Sequence, residues 1–166
     1  MNYLGFFLGQ HDSNVAIAKN GKVSYEKSER TTNEKHHKAD YSFINGIQSR
    51  HDLQADHVAV TDGDRNGLGC CSGNNLFEKH GSLYVLDHHF AHTLSAWPIQ
   101  DLQQVDWGIS IDGRGDNERR ISVIKNPGTN PELVWTSEHK GISKLLSIIG
   151  EKMGLGGQHI DLAGKV

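Results

Sequence analysis

The chain has 166 residues, 17 Lys and Arg against 20 Asp and Glu, a formal net charge of −3 and a pI near 6.4. This length fits one compact domain, and the balanced charge lacks the basic face that binding to nucleic acid or to an anionic membrane requires. No apolar run approaches the roughly 20 residues of a spanning helix, and no secretory signal pattern opens the sequence, so we expect a cytoplasmic protein.

The first 27 residues predict a three-stranded antiparallel meander. Apolar runs occupy Tyr3–Leu8 and residues 15–18, and the second is followed by Asn20-Gly21. This dipeptide favours a tight hairpin turn. The alternating residues 22–26 then suit a strand with one face in water.

The next segments predict one helix and two strands. The polar tract 28–40 is typical of a surface loop, and Tyr41–Arg50 has apolar residues at helical spacing. Residues 57–61 are a short β-branched run that predicts a buried strand. A loop rich in Gly, Asn and Asp follows at 62–75, before the apolar strand Leu83–Leu86.

The second half predicts a second meander between two helices. Its elements are a helix over 90–97 that Pro98 stops, strands at Trp107–Ile111, Ile121–Lys125 and 133–136, and a helix over 142–153. This order is mixed α/β and not a βαβ repeat. We expect one domain over residues 1–166.

Histidine is the compositional outlier, with 11 copies in the chain. His88 and His92 are four apart where a strand feeds a helix, so both imidazoles share a helical face and can reach one metal ion. Asp112 at the end of the next strand can add a carboxylate, giving two histidines and one carboxylate with open positions, a set that suits iron, zinc or manganese. Solvated or structural roles for the histidine pair remain open. His89 points about 100° away from His88.

A glycine turn follows the strand that ends at Ile111. The backbone N–H groups of Gly113 and Gly115 can approach a phosphate closely, which makes both glycines candidates for binding a cofactor. The alternative is a plain hairpin turn leading to Ile121.

Two polar segments near the amino terminus are further candidates. Asp12 and Ser13 are candidate cofactor-binding residues in a turn that their side chains alone can also explain. His11 beside them can act as a general base near neutral pH. Arg30 and Lys35 lie in the polar tract and suit a phosphate or carboxylate, although a solvated loop is the alternative.

Four motifs occur in one order along the chain: Gly9-x-His11-Asp12-Ser13, Ser28-Glu29-Arg30 with Lys35-His36, His88-His89-x-x-His92, and Ile111-Asp112-Gly113-x-Gly115. In order and spacing this set resembles the NodU/CmcH-type O-carbamoyltransferase family. Gly164-Lys165-Val166 also looks like the start of that family's Glu-Gly-Lys-Val-Met-Gly-Leu motif, but Ala163 replaces its Glu. Asn14 stands where the family usually has a second Ser.

The resemblance implies the first lobe of an actin-like ATPase (ribonuclease-H-like) fold, with a mixed sheet, antiparallel meanders and flanking helices. It implies that carbamoyl phosphate and ATP form a carbamoyl-adenylate, whose carbamoyl group passes to the hydroxyl of a small-molecule acceptor. The metal ligands would be His88, His92 and Asp112. Iron would be the first candidate metal, with zinc and manganese as alternatives. His11 matches the histidine near the transfer centre, and Arg30 and Lys35 match the family's polar loop.

The same resemblance places a second lobe, a further acidic metal ligand and a YrdC-like domain beyond Val166. We therefore expect a fragment that is inactive alone. Two alternatives stay open: a relative of the tRNA threonylcarbamoyl transferases, which the absence of a basic stripe disfavours, and a non-catalytic histidine-rich metal-binding module.

Overall fold

The computed structural model describes residues 1–8, 13–34, 40–62, 71, 74–113, 118–139, 148–149, 151–152 and 154. The chain divides into two compact units, Met1–Ala91 and His92–Val166. Strands predominate over short helices, so the predicted mixed α/β class is confirmed. Within the described ranges, no helix has both the length and the apolar character needed to cross a membrane.

The described elements are, in chain order, β1 (Tyr3–Leu8), β2 (Asn14–Lys19), β3 (Lys22–Lys27), α1 (Ser28–Thr32), α2 (Tyr41–Arg50), β4 (His57–Asp62), β5 (Phe77–His80), β6 (Leu83–Leu86), α3 (His88–Leu94), β7 (Trp107–Ile111), β8 (Ile121–Lys125) and β9 (Glu132–Ser137). A 3-10 turn at Leu102–Gln104 precedes β7.

The predicted amino-terminal meander is confirmed. β1 pairs antiparallel with β2, and β2 pairs antiparallel with β3. Asn20 and Gly21 have φ angles of 53° and 73°. Positive φ at both central residues defines the two-residue hairpin turn whose twist matches the strands it joins, so this dipeptide sets the register of β2 against β3.

The meander extends into a six-stranded mixed sheet with the order β3-β2-β1-β4-β6-β5. β4 pairs in parallel with both β1 and β6, whereas β5 pairs antiparallel with β6. A parallel strand with neighbours on both sides requires apolar residues, and Val60 in β4 is 1% exposed. The buried strand predicted at 57–61 is therefore confirmed. β6 ends at the same edge of the sheet as β4.

Helix α2 packs on one face of this sheet and has the predicted bounds. The carboxylate of Asp40 accepts hydrogen bonds from the backbone N–H groups of Ser42 and Phe43, at 2.9 and 3.3 Å, and so caps the first turn. Ile44 and Ile47 lie on its buried face. The core cluster that they join contains Leu4, Leu8, Val15, Ile17 and Leu53.

Two short elements of the first unit were not predicted. Phe77–His80 forms an edge strand, joined to β6 through a turn in which Gly81 has a φ of 64°. Phe77 is the only large apolar residue of this strand, so neither alternation nor an apolar run signals it. The polar tract begins with the one-turn helix α1 and not with a loop.

Helix α3 begins at His88 and ends at Leu94, whereas the sequence predicts a helix over 90–97. After Leu94 the backbone tightens, and the N–H groups of Ser95, Ala96 and Trp97 each bond to the carbonyl three residues earlier. Such i to i−3 bonds are common where an α-helix ends, which explains why the periodicity runs past the last α-helical residue.

The second unit contains the predicted second meander. β7 pairs antiparallel with β8, and β8 with β9, with a register shift between Val123 and Ile124. Ile124 is fully buried. The helix predicted over 142–153 lies mostly outside the described residues, of which Ile148, Ile149, Glu151 and Lys152 are helical.

Candidate metal centre

Helix α3 carries two histidines on one face. β6 ends at Leu86, and the carboxylate of the buried Asp87 accepts a hydrogen bond of 3.0 Å from the backbone N–H of Phe90, which caps the new helix. His88 and His92 are one turn apart, so their imidazoles project side by side.

The carboxyl-terminal half of α3 is held against strand β7. The hydroxyls of Thr93 and Ser110 form a hydrogen bond of 2.7 Å, and both residues are buried. Gly108 provides a second contact, since a Cβ at this position would lie 2.6 Å from Cγ2 of Thr93. A glycine therefore permits the close approach of helix and strand.

Asp112 follows directly after β7, where its backbone and side chain are both fixed. Its N–H donates to the carbonyl of Arg120 at 2.9 Å. Its Oδ1 accepts a hydrogen bond of 2.5 Å from the N–H of Gly113, and the guanidinium of Arg120 donates to the carbonyl of Gly113. These bonds orient the carboxylate, as hydrogen bonds to metal-ligating carboxylates commonly do.

The three predicted ligands come together. Nε2 of His92 lies 3.5 Å from Oδ2 of Asp112, and one ligand atom from each of His88, His92 and Asp112 lies within 4.8 Å of the others. Two imidazole nitrogens and a carboxylate oxygen form a donor set that suits iron, zinc or manganese and leaves positions open. The residues present therefore fit a divalent ion.

The group is accessible from solvent. The side chain of His92 is 53% exposed and that of Asp112 is 33% exposed, while His88 is half-buried and packs edge-on against Phe7. A ligand set of this kind can admit a water or substrate atom to an open position. The neighbouring His89 is fully buried, which agrees with the prediction that its ring points away from His88.

The other predicted site residues do not form one described constellation. Ser13 is fully buried at the start of β2, where its carbonyl accepts a hydrogen bond of 2.9 Å from the N–H of Ser28. Arg30 is exposed on α1, and the N–H of Gly113 is directed at the Asp112 carboxylate. The candidates His11, Asp12, Lys35 and Gly115 lie outside the described residues.

Sequence reasoning missed the residues that support the ligands. Asp87 had a recognisable signal, because an Asp directly before a helix is a common N-cap. Thr93 and Ser110 had no such signal. One hydroxyl on a helix and one on a strand can be recognised as a pair only when the tertiary contact is known.

Comparison with known proteins does not assign the chain to a family. No protein-family model matches it, and no curated protein matches it. The resemblance to O-carbamoyltransferases therefore remains a hypothesis carried by the four motifs. The described feature with a clear chemical meaning is the group of three ligands on α3 and at the end of β7.

Proposed function

We propose that this chain holds a divalent metal ion through His88, His92 and Asp112, and that the site serves transfer of a carbamoyl group to a hydroxyl of a small molecule. The observation that carries the proposal is the convergence of the three ligand atoms within 4.8 Å. Imidazole and carboxylate ligands suit iron, zinc and manganese alike. Iron is the first candidate on the family resemblance, and zinc and manganese are the alternatives.

The order of elements supports an actin-like lobe as the scaffold of this site. A three-stranded antiparallel meander, helix α2 and the parallel strand β4 follow one another in the first unit. A second three-stranded antiparallel meander begins the sheet of the second unit. A meander followed by a helix and a parallel strand is the arrangement that the family resemblance implies.

The chain's own residues would bind and orient the reactants. Carbamoyl transfer forms a bond between the acceptor oxygen and the carbamoyl carbon, breaks the bond from that carbon to the phosphate oxygen of carbamoyl-adenylate, and releases the acceptor proton to a base. His11 is the candidate base. When bound, a divalent ion would supply Lewis-acid polarisation of the carbamoyl oxygen. The exposed edge of His92 leaves room for the substrate to approach.

Ligand binding to the metal-loaded chain tests this function. We expect a stable sulfamoyl analogue of carbamoyl-adenylate to bind the metal-loaded chain more tightly than AMP does, and to lose that preference in the metal-free chain and in His92→Ala. His80→Ala is the matched control, because His80 lies on β5 and its side chain is 62% exposed. Isothermal titration calorimetry measures each affinity.

Two results would contradict parts of the proposal separately. Metal binding with equal affinity for the analogue and AMP would leave a metal-binding module without carbamoyl specificity. Tight binding of the analogue that is unaffected by metal removal would place the ligand elsewhere on the chain.

A further inference from the structure

We propose that Thr93 and Ser110 are positioning residues for the metal site, setting the separation of His92 from Asp112 through their shared hydrogen bond. This inference rests on the proposed metal-binding function. Neither hydroxyl is offered as a ligand. Their role is to lock the helix that carries one ligand onto the strand that leads to another.

The pair is placed directly between the two ligand-bearing segments. Thr93 follows His92 on α3, and Ser110 precedes Asp112 by two residues at the end of β7. Their Oγ atoms are 2.7 Å apart, which is the usual distance for a hydrogen bond between two hydroxyl groups. The hydrogen bond therefore joins helix to strand at the residue next to His92 and two residues before Asp112.

Burial makes this link an effective constraint. Thr93 is 8% exposed and Ser110 is 5% exposed, so water competes little for either hydroxyl. Removing one hydroxyl deletes this bond between helix and strand, so either the helix or the strand can move more easily. Either movement changes the 3.5 Å separation between Nε2 of His92 and Oδ2 of Asp112.

The methyl group of Thr93 lies beside Gly108. Its Cγ2 lies where a Cβ on Gly108 would meet it at 2.6 Å. The hydroxyl thus draws α3 toward β7, while the methyl group rests against the glycine backbone. The hydroxyl and the methyl group make different contacts, so a conservative substitution can remove either one and keep the other.

Cobalt binding to the full chain provides the test, with Co²⁺ alone as the probe. Its d–d absorption reports coordination geometry, and its titration gives an affinity. We expect Thr93→Val and Ser110→Ala each to weaken Co²⁺ binding by about 10–100-fold, the range typical of groups that orient ligands, and to change the absorption spectrum. Because both substitutions remove the same shared bond, the double variant should bind no more weakly than the worse single variant.

Rescue and control variants separate positioning from general stability. Thr93→Ser keeps the hydroxyl and should bind Co²⁺ like the wild type, with the same spectrum. Thr136→Val removes a threonine hydroxyl from β9, two strands away from β7, and should also leave affinity and spectrum unchanged. Circular dichroism confirms that each variant is folded.

Wild-type affinity and spectrum in both Thr93→Val and Ser110→Ala would overturn this inference while leaving the metal site intact. Failure of Thr93→Ser to restore the wild-type spectrum would also overturn it. Absence of Co²⁺ binding by the wild-type chain would instead overturn the proposed function, and this inference with it.

Discussion

At the scale of single residues, the sequence predicts which side chains are candidate ligands but not what holds them in place. The spacing of His88 and His92 on one helix, and an Asp directly after a strand, are readable patterns. That Asp112 lies 3.5 Å from His92 depends on how α3 packs on β7. Thr93, Ser110 and Gly108 determine that packing, and their residue types are common in any chain.

Gly108→Ala tests the close approach of helix and strand. The added Cβ would meet Cγ2 of Thr93 at 2.6 Å, so either the Thr93 side chain or α3 must shift. We expect a loss of about 1–3 kcal/mol in the free energy of unfolding, measured by urea denaturation, together with weaker metal binding. Gly5→Ala is the matched control, because, apart from its two chain neighbours, no atom of the described residues would lie within 4 Å of the added Cβ.

The double change Gly108→Ala with Thr93→Ser sharpens this test. Serine removes the Cγ2 atom and keeps the hydroxyl, so most of the lost stability and metal affinity should return. A double variant as damaged as Gly108→Ala alone would show that the steric contact with Thr93 is not the cause.

At the scale of elements, prediction succeeded where local chemistry is decisive. Asn20 and Gly21 specify a hairpin by their own backbone preferences, and α2 begins and ends at the predicted residues, with Asp40 as its N-cap. Strand β5 was missed because Phe77–His80 exists only through its pairing with β6. The end of α3 was predicted at residue 97 and not at Leu94, because the chain continues in tight turns after Leu94.

The cap of α2 makes a pH-dependent contribution to stability. Hydrogen bonds from Ser42 and from the backbone of Phe43 hold the pKa of Asp40 below its ordinary value of 3.8. A carboxyl whose pKa is lowered by folding stabilises the protein above the unfolded-state pKa and loses that effect as the pH falls through the folded-state pKa. We expect Asp40→Ala to lower Tm by about 2–4 °C at pH 7.

Thermal melts of both chains from pH 7 to pH 2 check this expectation. The difference in Tm between wild type and Asp40→Ala should shrink at the acid end, where the capping carboxylate becomes protonated. A difference that stays constant over the whole range would contradict a charged cap.

We expect the packing of α2 on the sheet to contribute more to the free energy of unfolding than its Asp40 cap does. Ile47 is 1% exposed within the core cluster of the first unit. We expect Ile47→Ala to cost about 2–5 kcal/mol of unfolding free energy and Ile47→Val about 0.5–1.5 kcal/mol, because the cavity grows with the atoms removed. Equal effects of the two substitutions in urea denaturation would show that this site collapses around the smaller side chain.

At the scale of the whole molecule, a bound metal should stabilise the folded chain. An ion that binds the folded state alone adds about 2.7 kcal/mol when its free concentration is 100 times Kd. We expect Zn²⁺ to raise the Tm of the wild type and of His80→Ala in differential scanning calorimetry, and to leave that of His92→Ala unchanged. A similar rise in all three proteins would indicate binding elsewhere.

The most direct test of the central claim is calorimetric titration of the metal-free chain with Zn²⁺, beside the single variants His88→Ala, His92→Ala and Asp112→Ala and the control His80→Ala. The account predicts one ion per chain for wild type and control, and a large loss of affinity in each of the three ligand variants. Retention of wild-type affinity in any one of those three would contradict a site built from this group.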